Sequence, residues 1–327
     1  MELKGKALYN LLRISLQEDP SMEVKAWQVE DYRQLDEKSL FSRLSRLGIV
    51  LDEESFLVYA ENCESPEELV ECLCCDEENL ELRDETFLIV CELWRRLLPD
   101  KPSLSLFCDE LDQLFEQYDN GTMQDEESLQ EALSDLEDIL DLAVDHGTSP
   151  QEAFRDVSQY CAHDLEGFIS DYIADLIETE NDLAASELLD SFYEYIGNQK
   201  RFDFLRARIF AESDIAEGNL LIGRLLELLS EEPDLSLLLE MADYLVNRGD
   251  VHLFMQAVRQ AIPLLQQEDD LQNLLRQIAS YFRCLDREDE EKMVASLLDK
   301  RKHLKLDQQI DPSDMALNHI VQIFNHS

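Results

Sequence analysis

Glycine and proline are scarce in this chain: nine and eight among 327 residues. Strand-and-turn architectures need both at their tight turns, so so few of them favour long helices. The apolar pattern agrees. In "LLIGRLLELLS", Leu221, Leu225, Leu228 and Leu229 step at helical spacing, with Arg224 the one polar interruption. In "ETFLIVCELWRRLL", Phe87, Ile89, Val90, Leu93, Trp94 and Leu97 do the same. No alternating run rich in β-branched residues is long enough to specify a strand. The expected fold is all-α: stacked antiparallel helices joined by short connections.

Start and stop signals divide the chain into helical segments. "CESPEEL" offers Ser65 as N-cap, Pro66 at the first helical position and Glu68 to close a capping box. "TSPQEAF" repeats the device with Ser149, Pro150 and Glu152, and "DPSDMAL" offers Ser313 or Asp311. Gly48, Gly147, Gly197 and Gly249 each follow a periodic segment, as helix stops do. Seventeen helices are expected, with ends soft by about 2–4 residues. They include 22–47, 66–75, 84–98, 251–267 and 312–325. The clearest breaks are Leu97 to Ser105 and Tyr118 to Glu127. They suggest an N-terminal helical domain, 1–120, and a helical-repeat-like domain, 121–327.

Within the second domain, "DLSLLLEMADYLVNRGDVHLFMQAVRQAI", Asp234 to Ile262, carries Ala242 in its first helix. Arg248, Gly249 and Asp250 make its turn, and Ala257 or Ala261 allows close packing in its second helix. This segment resembles one tetratricopeptide-style helix pair. It departs from that pattern at Phe254, where a small residue is expected, and it lacks the pattern's tryptophan and tyrosine. The resemblance implies an α-solenoid-like C-terminal half built of tetratricopeptide-like helix pairs. It assigns no family.

Charge narrows the possible partners. The chain carries 73 acidic and 28 basic residues, a formal net charge of −45. Between Pro102 and Gln199 stand 26 acidic residues and one basic residue, Arg155. Nucleic acids and anionic membranes are held mainly by Lys and Arg, so direct binding to either is not expected. Basic protein segments are attracted at long range. "DKRKHLKL", ending at Leu306, is the one concentrated basic stretch; its cations suit a helix C-terminus.

The N-terminal "MELKGKALYNLLRISLQEDP" places Lys4 and Lys6 before a short apolar run, but Arg13 interrupts it. It reads as an amphipathic helix with Leu8, Leu11, Leu12 and Ile14. No apolar stretch approaches the ~18 residues that span a bilayer. Eight cysteines in a chain this long are no disulfide framework, so a reducing, cytoplasmic setting is expected.

Candidate chemistry is sparse. "ECLCCDEE" contains Cys72, Cys74 and Cys75; Cys72 and Cys75 form one C-x-x-C, and Cys63 is a potential third ligand. The capping box at Ser65 puts these cysteines in the last turn of a short helix, beside Glu71, Asp76, Glu77 and Glu78, a field that suppresses thiolates. They are expected to serve as small hydrophobic residues. None of His146, His163, His252, His303, His319 and His326 sits in an H-E-x-x-H or Glu-x-x-His pattern. "FEQYDNGTMQDEESL" resembles a degenerate EF-hand loop, with Gly121 at the turn. Its first ligand falls on Glu116, its third on Tyr118, and Asn120 would be the fifth, so an acidic helix–turn–helix is expected. No phosphate-cradling or nucleophile-elbow motif occurs.

No catalytic, cofactor-binding or metal-binding residue is assigned. The expectation is a non-enzymatic protein-binding module, scaffold-, adaptor- or chaperone-like, whose acidic surface engages a basic or amphipathic-helix partner. The alternatives are an acidic mimic of nucleic acid that occupies a DNA-binding protein, and a secretion-related chaperone or gatekeeper.

Overall fold

The computed structural model describes residues 5–74, 79–248 and 250–311 and the single residues 314, 316, 317 and 320. Among them the chain is helical and forms no strand; one antiparallel bridge joins Gln267 to Gln309. By packing, the chain divides into two compact units. One is Met1–Ile169 with Glu194–Gly197; the other is Ser170–Tyr193 with Asn198–Ser327. The segment from Tyr118 to Glu127, where the sequence suggested a boundary, is a turn inside the first unit.

The first unit holds α1 (Ala7–Glu18), α2 (Ala26–Val29), α3 (Glu37–Arg46), α4 (Glu53–Glu61), α5 (Pro66–Leu73), α6 (Leu80–Leu97), α7 (Leu104–Asp119), α8 (Glu127–Asp145) and α9 (Pro150–Ser158). The division falls inside α10 (Leu165–Glu178). Helix α6 is the centre of this unit. Every residue from Leu88 to Trp94 is buried, so the helix has no solvent face there. Leu40 and Leu44 of α3, Phe56 of α4 and Leu69 of α5 join the same core.

The expected 22–47 helix is three pieces: α2, a 3₁₀ turn at Tyr32–Gln34, and α3. Two aspartates account for the breaks. Asp31 accepts the Arg33 N–H at 3.1 Å and Asp36 accepts the Ser39 N–H at 2.8 Å, and each N-cap restarts the helix. Likewise α6 begins at Leu80 because Asn79 accepts from the N–H groups of Glu81 and Leu82.

The second unit continues with α11 (Asp182–Phe192), α12 (Gln199–Ser213), α13 (Ile215–Glu231), α14 (Leu235–Arg248), α15 (Val251–Ala261), α16 (Glu268–Cys284) and α17 (Glu288–Arg301). Sequential helices pack as pairs, α12 with α13, α14 with α15 and α16 with α17. The pairs stack, α14 on α16 and α13 on α15, in the solenoid-like manner expected. Helices α12 and α13 meet closely at Gly218, where a Cβ would lie 2.5 Å from the Ala211 Cβ. Helix α15 stops short of the expected residue 267: it tightens into a 3₁₀ turn at Ile262–Leu264, where Pro263 supplies no N–H. The expected helix at 312–325, with Ser313, lies largely outside the described residues, as does Gly249.

Gly48 and Gly147 end helices as expected, whereas α11 ends at Phe192, ahead of the expected stop at Gly197. Gly48, Gly121 and Gly147 take positive φ (93°, 61° and 101°). At Gly147, the Thr148 N–H reaches the Ala143 carbonyl and the Gly147 N–H that of Val144, a Schellman motif. Gly121 repeats it, with Thr122 on Gln117, so the EF-hand-like stretch is a helix stop. Two further stops carry no glycine: Glu180 (φ 61°) and Asp286 (φ 55°) close the same bonds after α10 and α16. The left-handed region costs an L-residue about 1–2 kcal/mol, part of which glycine's chain entropy would return. Glu180→Gly and Asp286→Gly are each expected to raise stability by about 0.5–1 kcal/mol, read as a higher denaturant midpoint at unchanged slope.

Candidate partner-binding groove

In the second unit, α14 and α16 lie side by side. Each turns a core stripe inward: Leu238, Met241, Ala242 and Leu245 on α14, and Leu271, Leu274, Leu275 and Ile278 on α16. Each also carries a second stripe at helical spacing. On α14 it is Ser236, Glu240 and Asp243; on α16 it is Asp270, Asn273 and Gln277. These two stripes, with Leu235 and Leu239, line an open groove of about 710 Å³. None of its eight lining residues is basic.

Gln277 stands apart from the other lining residues. It is only 5% exposed. Its Nε2 donates to the Leu239 carbonyl at 3.1 Å, while its Oε1 is buried and finds no hydrogen-bond partner among the described residues. A buried acceptor without a donor is costly, so such groups are rare in folded proteins. At the edge of the groove, Arg201 of α12 bridges two carboxylates: Nε lies 3.1 Å from Glu240 Oε2 and Nη2 2.7 Å from Asp171 Oδ1. Burial still holds the Glu240 carboxyl above the usual carboxylate range, although Arg201 and Arg208 pull it down. Arg208 itself lies over the Phe204 and Tyr244 rings, 6.0 and 5.6 Å from their centroids.

A second acidic surface belongs to the first unit. Helix α8 carries seven acidic and no basic residues in "ESLQEALSDLEDILDLAVD" and buries only Leu129, Leu133, Leu136 and Leu140. Glu131, Asp135 and Asp138 are exposed on its outer side. Like charges so close on one helix repel, and the leucine stripe holds the helix down.

The first unit also contains a buried polar hub. Asp109, 2% exposed, accepts from Lys6 Nζ at 2.8 Å, Arg33 Nη2 at 2.6 Å and Asn10 Nδ2 at 2.9 Å. One turn on, Asp112 accepts from Asn10 Nδ2 and from the N–H groups of Ala162 and His163, with His163 Nδ1 at 3.0 Å. The adjoining cavities are about 10 and 20 Å³, room for single waters and not for a substrate. The hub therefore ties α1, the Tyr32 turn and the start of α10 to α7.

Burial lowers the affinity of the His163 imidazole for protons, but the Asp112 hydrogen bond and charge, with Asp119 and Glu116 nearby, outweigh it. Its pKa is raised above 6.5. The sign follows: stability from the charged pair is fully present below the unfolded value near 6.5 and lost as pH rises through the higher folded value. Unfolding free energy is expected to fall over that window, and His163→Gln is expected to remove this component from the pH profile.

The sequence-level candidates are dispersed. Cys72 lies in the last turn of α5 and Cys74 caps it, as expected, while Cys75 lies outside the described residues. Cys63 approaches Cys72, and burial, then the Cys72 neighbour, pushes the Cys63 thiol up. Among the described residues no three His, Cys, Asp or Glu side chains converge as metal ligands. His146, His252 and His303 are exposed; His319 and His326 lie outside the described residues. In the basic stretch, Arg301 is engaged inside its own unit, on Glu268 and Asp314. No described helix is long and apolar enough to cross a membrane.

The groove itself escaped the sequence reading, which pointed to 102–199. Its only trace there is a polar stripe at three- and four-residue steps on two helices, which any solvated face shares. No protein-family model matches this chain, and no curated protein and no solved structure matches it either.

Proposed function

We propose that this chain is a non-enzymatic protein-binding module, scaffold-, adaptor- or chaperone-like, that works in the cytoplasm and engages a basic or amphipathic-helix partner. One observation carries the reading: a 710 Å³ groove between two stacked helices, lined by Glu240, Asp243 and Asp270 and by no cation. Helical arrays bind through such faces without a catalytic motif, and carboxylates there select basic segments. Leu235 and Leu239 supply the apolar floor that an amphipathic helix requires.

A second reading rests on α8 and the 26-to-1 acidic excess of 102–199: a mimic of nucleic acid that occupies a DNA-binding protein. Salt separates the two. A groove binder keeps most of its affinity for a basic amphipathic peptide as salt rises and loses it on Leu235→Ser. A mimic loses affinity steeply with salt, as phosphate-like contacts do, and is abolished by reversing charges on α8. Fluorescence anisotropy with such a peptide, and with a DNA-binding domain as the second probe, reads both. Retention of neither probe at low ionic strength would overturn the binding reading.

A further inference from the structure

We propose that the α14–α16 groove takes an arginine side chain from an amphipathic segment of a partner protein. This deepens the binding reading above and rests on it. The helix stack itself contains the precedent. The guanidinium of Arg201 on α12 bridges carboxylates from two other helices, Asp171 of α10 and Glu240 of α14. One step along the stack, α14 presents Asp243 and α16 presents Asp270 along the groove, and no residue lining that gap is basic.

The unpartnered carbonyl of Gln277 is the independent observation. It lies at the buried side of the groove, with its amide turned to Leu239 and its oxygen without a donor. A ligand that completes it must deliver an N–H past the groove mouth, on a stem long enough to reach. Arginine and lysine both have that length, and either stem can lie along Leu235 and Leu239. The acceptors distinguish them. They are the Asp243 carboxylate, one turn beyond Leu239 on α14, and the amide oxygen of Gln277, whose nitrogen donates from α16 to the Leu239 carbonyl; Asp270 lies two turns away along the groove. A guanidinium offers five N–H donors in a fixed planar fork and sheds water more readily than an ammonium, which suits acceptors on two helices.

The test uses the full chain and a fluorescent amphipathic peptide with leucines on one face and arginines on the other, beside its lysine counterpart. Binding is read by anisotropy at fixed ionic strength. The arginine peptide is expected to bind about fivefold or more tightly than the lysine one. Asp243→Asn is expected to weaken it about tenfold, and Gln277→Met about fivefold, each bond to a charged group being worth that order. Asp243 is exposed, so its amide variant keeps the fold even where Gln277→Met disturbs packing. Glu131→Gln with Asp135→Asn and Asp138→Asn on α8 should leave binding nearly unchanged. Equal affinity for the two peptides, or an unaltered affinity in Asp243→Asn with loss in the α8 variant, would overturn the groove assignment and leave the acidic-surface reading standing. No binding of either peptide to the unaltered chain would overturn both.

Discussion

Replacing Asp109 with alanine should cost the chain about 3–5 kcal/mol of stability, the usual result of breaking one side of a buried ion pair. Asp109 is the anion on which Lys6, Arg33 and Asn10 converge, and burial alone would raise its carboxyl; Lys6 and Arg33 reverse that and hold it below the usual range. Without it, Lys6 is left 7% exposed with its charge unanswered. The cost arises from the orphaned cations more than from a lost attraction, which gives the prediction a second arm. Removing the whole group, as Asp109→Leu with Lys6→Met and Arg33→Met, should recover most of the loss, because apolar packing often replaces a buried ion pair at little net cost. Denaturant midpoints at fixed slope decide it. A loss under about 1 kcal/mol for Asp109→Ala would mean that the hub is hydrated and unimportant to the fold.

The second large effect is expected at Arg301. Its Nε lies 2.8 Å from Glu268 Oε1, its Nη2 pairs with Oε2 of the same carboxylate, and its Nη1 reaches Asp314 at 2.8 Å. Glu268 is 1% exposed and also accepts from Gln272 Nε2 at 2.9 Å. It opens α16, whose first N–H groups are taken by a returning segment: Glu268 N–H by the Gln308 carbonyl and Asp269 N–H by Leu306. Arg301 thus clamps the end of α17 to the start of α16. Arg301→Met leaves Glu268 buried without a cation and should cost about 3–5 kcal/mol. Arg301→Lys should recover only part, since an ammonium cannot reproduce the two-pronged contact. Thermal melts of the two variants, with Glu268→Gln added to each, check both statements; additive losses would contradict a direct pair.

Much of this fold could be read from the sequence where the cause was local. The Ser65 N-cap is present, with its oxygen 3.3 Å from the Glu68 N–H, although the Glu68 carboxylate answers Glu64 N–H in place of Ser65. Ser149 meets Glu152 as the spacing implied. The losses have local causes too. Asp31 and Asp36 looked like polar positions on one long helix, yet each is a cap. Glu180 and Asp286 end helices in the left-handed region without the glycine that signals it. The groove was beyond local reading for a different reason. Which polar stripe borders a gap depends on α14 lying beside α16, some thirty residues away in sequence, and periodicity marks a face without saying what it faces. Gln277 shows this most clearly: in "LQNLLRQIASYF" it reads as an ordinary helix residue, and only packing buries its carbonyl without a donor.

The most direct test of the binding account is site-specific photo-crosslinking. A benzophenone side chain at Asn273, exposed on α16, should form an adduct with the arginine peptide that excess unlabelled peptide suppresses. The same probe at Ser134, exposed on α8, should form little. An adduct at Ser134 and none at Asn273 would contradict the account.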